Sequence, residues 1–156
     1  MARFKISPGL DEYTRKLQQL GMKTREELIG KAVFAGAGIV ADEMRASIQS
    51  LDVSERSTEG VTEKQKQGLL DGLGISRMKD EGGFINVKIG FNGYNGHVSA
   101  KYPKGQPNAM IARSLEKGTS HAPAQPFAAP AVKRSKPAAE NAMKDVIESG
   151  IEKIMS

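Results

Sequence analysis

Between Thr24 and Ser50 the chain has no proline and keeps one helical period throughout. Leu28, Ala32, Ala35, Ile39 and Met44 mark one side of that helix, with Val40 and Ile48 beside it. Thr24, with Glu27 three residues on, has the pattern of a capping box. A helix of this length runs about 40 Å at ~1.5 Å per residue. A chain of 156 residues can house it only as a spine. Its middle reads Gly36-Ala37-Gly38. Inside a helix each glycine costs up to about 1 kcal/mol relative to alanine. That cost is tolerated where backbones must approach closely, so Gly36 and Gly38 are expected where another helix, from this chain or a neighbour, crosses the spine.

The other elements follow from changes of period. Ser7-Pro8-Gly9 opens a first helix with Leu10, Tyr13, Leu17 and Leu20 on one face, and Gly21 ends it. Leu51–Glu59 is polar and turn-like. Val61–Leu73 reads as a short helix anchored by Leu69, Leu70 and Leu73. Ile75–Met78 and Phe84–Phe91 read as strands joined through Lys79–Gly83; in the second, Ile85, Val87 and Ile89 alternate with Asn86 and Lys88. Any third strand must come from elsewhere in the fold. Asn92–Asn108 is a long loop carrying Tyr94, Lys101, Tyr102 and Lys104. It has little apolar surface to fold on, which predicts a segment that is mobile until a partner orders it. In the last segment Pro137 suits only a first helical turn, so the C-terminal helix is expected to begin near Ser135 or Lys136, with Met143, Val146, Ile147, Ile151 and Ile154 as its stripe. The pattern predicts an α+β domain spanning residues 1–156: a long N-terminal helix and a C-terminal helix packed on a small, mainly antiparallel β-sheet with a long loop.

Composition narrows the chemistry. Only 38% of residues are hydrophobic and 5% aromatic, which makes a thin core and favours self-association. There is no cysteine, hence no disulfide, thiolate metal site or cysteine nucleophile. Met1–Leu10 lacks the apolar core of a signal peptide, and the longest apolar run, Ala32–Ala41, is far short of the ~20 residues that span a bilayer. A soluble intracellular protein without a membrane partner is expected. The net charge of +5 would suit nucleic acid or an acidic protein surface.

No enzyme signature assembles. Gly36-x-Gly38-x-x-Ala41 matches a dinucleotide-binding fingerprint, but the charged segment Thr24–Lys31 precedes it at helical spacing where a strand is needed, and Leu51–Gly60 is too polar for a buried parallel strand. His97 and His121 are the only histidines and lack metal-motif spacing. Ser114 and Ser120 have no nucleophile elbow around them. No cofactor, metal or catalytic residue is assigned.

The most distinctive stretch is Ser114–Ala131, SLEKGTSHAPAQPFAAPA. It closes the apolar segment Ala109–Leu115 at Gly118, turns through Pro123, Pro126 and Pro130, and carries one large anchor, Phe127. Leu115, Glu116, Gly118, Thr119, Ala124, Pro126, Phe127, Pro130 and Ala131, ahead of a C-terminal helix, resemble the tail-completion proteins of long-tailed double-stranded DNA phages, also called head–tail joining or neck proteins. That family usually has an aromatic where this chain has Lys117, and often a larger apolar residue where it has Ala128.

The resemblance implies a structural role in the virion, after assembly in the host cytoplasm: a ring, commonly hexameric, that caps the tail tube and joins the tail to the DNA-filled head. The implied partners are copies of itself, the head-side neck or adaptor protein, the tail-tube protein, and genomic double-stranded DNA passing through the lumen without sequence-specific binding. Leu115, Glu116, Gly118, Thr119, Pro126, Phe127 and Pro130 would anchor or assemble it, and Tyr94, Lys101, Tyr102 and Lys104 would make loop contacts. The alternative is a nucleic-acid-binding module acting through Lys101–Lys104, where a tyrosine and two lysines could meet bases and phosphates.

Overall fold

The computed structural model describes residues 2–3 and 21–155 of the chain. The helix expected at Leu10–Leu20 lies outside the described residues. In order, the elements are β1 (Ala2–Arg3), α1 (Met22–Gln49), α2 (Glu63–Gly72), β2 (Leu73–Ile75), β3 (Lys79–Asp80), β4 (Ile85–Asn86), β5 (Lys88–Phe91), α3 (Asn108–Lys117) and α4 (Ala128–Met155). The fold is α+β.

α1 is the spine, although its start differs from expectation. Gly21 is the N-cap, no side chain caps the helix, and Thr24 sits inside the first turn. The capping box belongs to α2 instead: the Gln65 amide donates to Thr62 Oγ1 (3.2 Å) and the Thr62 amide to Gln65 Oε1 (3.0 Å). The buried row of α1 runs Leu28, Ala32, Gly36, Val40, Met44 and Ile48, with Val33, Ala37 and Ala41 beside it. Ile39, expected on the inner side, faces out.

α4 lies antiparallel to α1. Leu28 occupies the space in which a side chain at Gly150 would stand, Gly36 faces Met143 and Ala139, and Arg134 pairs with Glu43 at 3.0 Å. The buried row of α4 begins at Phe127, just before the helix, and repeats every four residues through Ala131, Ser135, Ala139, Met143, Ile147 and Ile151. At ~100° per residue such a row drifts about 40° per step around the axis. After Phe127 the row is small through Ala131, Ser135 and Ala139, beside Met44 and Ile48, and large at Met143, Ile147 and Ile151, beside Gly36 and Ala32. Volume on one helix is matched by its absence on the other, which is how a thin core reaches interior packing density.

The C-terminal helix thus begins at Ala128, earlier than Pro137 suggested. Pro137 sits inside it on the exposed side, where the Lys133 carbonyl, deprived of its helical donor, can meet water.

The three-stranded sheet has the order β1-β5-β2, antiparallel throughout, and β3-β4 form a separate two-stranded sheet. Ala2–Arg3 supplies the third strand that could not be located from the sequence, pairing with Lys88 and Ile89. The run Phe84–Phe91 is divided at Val87, because β4 pairs in one sheet and β5 in the other; Val87 is buried at the bend. The strand expected at Ile75–Met78 is displaced, giving β2 before Ser76 and β3 after Met78.

Candidate functional site

The connector between α3 and α4 is specified by backbone conformation, side-chain hydrogen bonds and one aromatic anchor. Gly118 ends α3 with φ +77°, a conformation that side chains disfavour, and its amide donates to the Ser114 carbonyl at 2.8 Å. The chain then folds back on itself, so that a Cβ at Gly118 would lie 2.8 Å from the Ala124 nitrogen. Thr119 Oγ1 accepts from the His121 and Ala122 amides, and the Gln125 amide returns to the Leu115 carbonyl at 2.7 Å.

Glu116 completes the turn. Its Oε2 accepts from the Phe127 (3.0 Å) and Ala128 (2.9 Å) amides, and its Oε1 from Ala129 (2.9 Å). These are the orphan N–H groups at the start of α4, where the helix dipole also favours a carboxylate. One side chain from the last turn of α3 thereby sets where α4 begins. It explains why the helix need not wait for Pro137. The sequence marks Glu116 within the motif but gives no sign that its partners lie eleven to thirteen residues ahead.

The same turn drives Phe127 inward. Its side chain is 3% exposed and meets the Phe91 ring edge-to-face, with centroids 5.8 Å apart and planes at 73°. Leu115 is buried, Pro130 is half-buried in the first turn of α4, and Thr119 and Pro126 are exposed. Beside Phe127 a cleft of about 370 Å³ has a floor of Met44, Ile89, Phe91 and Ala112, with the exposed Arg113 and Lys117 at its margin.

The loop from Asn92 to Pro107 is held otherwise than expected. Asn95 is buried, and its Oδ1 accepts from the His97 (2.9 Å) and Gln106 (3.0 Å) amides. Its Nδ2 and Gln65 Nε2 both donate to Gln106 Oε1, and Asn108 Nδ2 donates to the Asn92 carbonyl at 2.8 Å. Side chains at Gly68 or Gly72 of α2 would run into Asn95, Asn108 or the Asn92 backbone. Buried amides packed against glycine stand in for the apolar anchors that the loop lacks. At its tip, the Ser99 and Tyr102 backbones exchange two hydrogen bonds and Tyr102 Oη donates to Met110 Sδ at 3.4 Å. Lys101 stands over the Tyr102 ring at 5.5 Å; Tyr94, Lys101 and Lys104 are exposed.

The two spine glycines part company. A Cβ at Gly36 would come within 2.8 Å of Met143 Cγ, whereas one at Gly38 would meet nothing within 4 Å. Among the described residues, the crossing is therefore at Gly36 and not at Gly38. Both residues lie in the middle of α1 and not at a strand-to-helix turn, so the dinucleotide-binding fingerprint has no structural basis. Among the described residues no cluster of three or more metal-ligating side chains occurs, and no helix is long and apolar enough to cross a membrane.

Residues 11–118 match the family model of HK97-gp10-like proteins, a bacteriophage tail component by description. The match takes in Leu115, Glu116 and Gly118 and ends before Thr119, Pro126, Phe127 and Pro130. No curated protein and no solved structure matches significantly.

Proposed function

The chain belongs to the HK97-gp10-like family of bacteriophage tail components, and from that premise we propose that it is a neck protein, forming a closed ring that caps the tail tube and joins the tail to the filled head. The family match over residues 11–118 carries the reading. The geometry supports it. Glu116 and Phe127 fix the connector as a rigid edge, as a part that must register against neighbours requires. The outer side of α1 leaves Phe34 41% exposed, one turn from the open surface at Gly38, an arrangement suited to an adjoining copy. The role is structural, with no catalytic residue assigned. By resemblance the ring is hexameric, and its partners are its own copies, the head-side neck or adaptor protein and the tail-tube protein.

The test is electron microscopy of particles assembled without this protein. Filled heads and complete tails that fail to join are expected. Joined particles, or heads that never fill, would overturn the reading.

A further inference from the structure

From Gly82 to Ala139 the chain has a single acidic residue, Glu116, against eight lysines and arginines, although the whole chain carries 18 acids. That one carboxylate is half-buried and turned to the connector, where its oxygens accept the Phe127, Ala128 and Ala129 amides, and it offsets only one of the charges around it. Of the eight cations, Arg134 is neutralised by Glu43. Four others are brought onto one surface. The loop tip bearing Lys101 and Lys104 is tied to α3 at Met110 by the Tyr102 hydroxyl. Arg113 and Lys117 are exposed on the same helix. At ~100° per residue they lie within about 60° of Met110 around the axis, and about 4.5 and 10.5 Å along it. None of the four makes an ion pair with a described residue, and Tyr94 and Tyr102 flank the loop lysines.

We propose that Lys101, Lys104, Arg113 and Lys117 form a phosphate-contacting surface for duplex DNA, binding the backbone without reading sequence. Cations in line along a helix and a pinned loop, with the half-buried Glu116 as the one acid in that stretch of sequence, favour a regular polyanion over an acidic protein patch, whose charges would need matching one by one. The proposal deepens the neck reading, because it names the surface turned toward DNA in the lumen, and rests on that reading only for where contact occurs. Binding is measured on free protein and joining on particles, so either can fail without the other.

The experiment is fluorescence anisotropy of a labelled 25-bp duplex titrated with the full chain from 50 to 200 mM NaCl. Four phosphate contacts give a slope of log K against log salt of about −3.6. The pair Arg113→Glu and Lys117→Glu should weaken binding at least about tenfold at 50 mM NaCl and make the slope shallower by about two contacts. The pair Lys31→Glu and Lys79→Glu makes the same change in net charge elsewhere and should leave the slope intact. If circular dichroism shows the first pair unfolded, Arg113→Gln with Lys117→Gln takes its place. No binding at 50 mM NaCl, equal losses in both pairs, or polyglutamate competing charge for charge as well as DNA would overturn the proposal.

Discussion

The paired helices α1 and α4 and the loop between Phe91 and Asn108 are fixed by opposite means. The helices interdigitate: Gly36 receives Met143, and Leu28 fills the space above Gly150. The loop closes on Asn95, Gln106 and Asn108, with Gln65 reaching in from α2. Apolar packing tolerates exchange of one shape for another of similar volume. An amide network does not, because each buried group left unpaired costs its own desolvation. The connector combines the two, with Phe127 packed on Phe91 and Glu116 bonded to three amides. Substitutions there and in the two contrasted regions should separate packing from polar satisfaction.

The largest effect is expected at Phe127. Phe127→Ala removes a nearly fully buried ring and should cost about 3–5 kcal/mol in denaturant unfolding. A normally stable protein would contradict the anchor role, and one that is stable but leaves heads and tails unjoined would place the ring at an interface. In the loop, Asn95→Leu keeps side-chain bulk but strips the acceptor from the His97 and Gln106 amides, and should cost about 1–3 kcal/mol for each donor left buried. A neutral outcome would show that water replaces the amide and that the loop is looser than its bonds suggest. Hydrogen exchange gives an independent reading: the Asn95, His97 and Gln106 amides should be protected in the free protein while Ala100 and Lys101 exchange quickly.

Glu116→Ala should cost about 0.5–2 kcal/mol, the range for losing a helix cap. Its effect belongs at the start of α4, so exchange should rise at Phe127–Ala129 and not at Ala139. The smallest effect is expected on the spine and should differ between two positions two residues apart. Gly38→Ala should stabilise by up to about 1 kcal/mol, since the position is open and helical. Gly36→Ala must instead displace Met143 and should gain less or lose stability. If Gly38→Leu leaves stability intact but blocks assembly, the second crossing is made by a neighbouring subunit.

Much of the frame was legible because it repeats. The spine, the short α2 and the antiparallel strands announce themselves by period, whereas α3 shows in the sequence only as the apolar segment Ala109–Leu115. What periodicity could not give were events that depend on residues far apart in sequence. The start of α4 is decided by Glu116, and local rules about Pro137 pointed elsewhere. The division of Phe84–Phe91 at Val87 is decided by which strands lie alongside. The order of the loop is decided by Gln65 and by glycines on α2 that leave room for two asparagines. The same limit applied at Gly36 and Gly38, which are alike in sequence until the partner helix is in place.

The neck reading requires that copies of this chain close into a ring. Native mass spectrometry of the purified protein across a concentration series tests that most directly. A single closed species of several copies, hexameric by the resemblance, with ring-shaped particles of that mass in negative stain, is the expected result. A protein that stays monomeric at every concentration and forms no ring when mixed with tail tubes would contradict it.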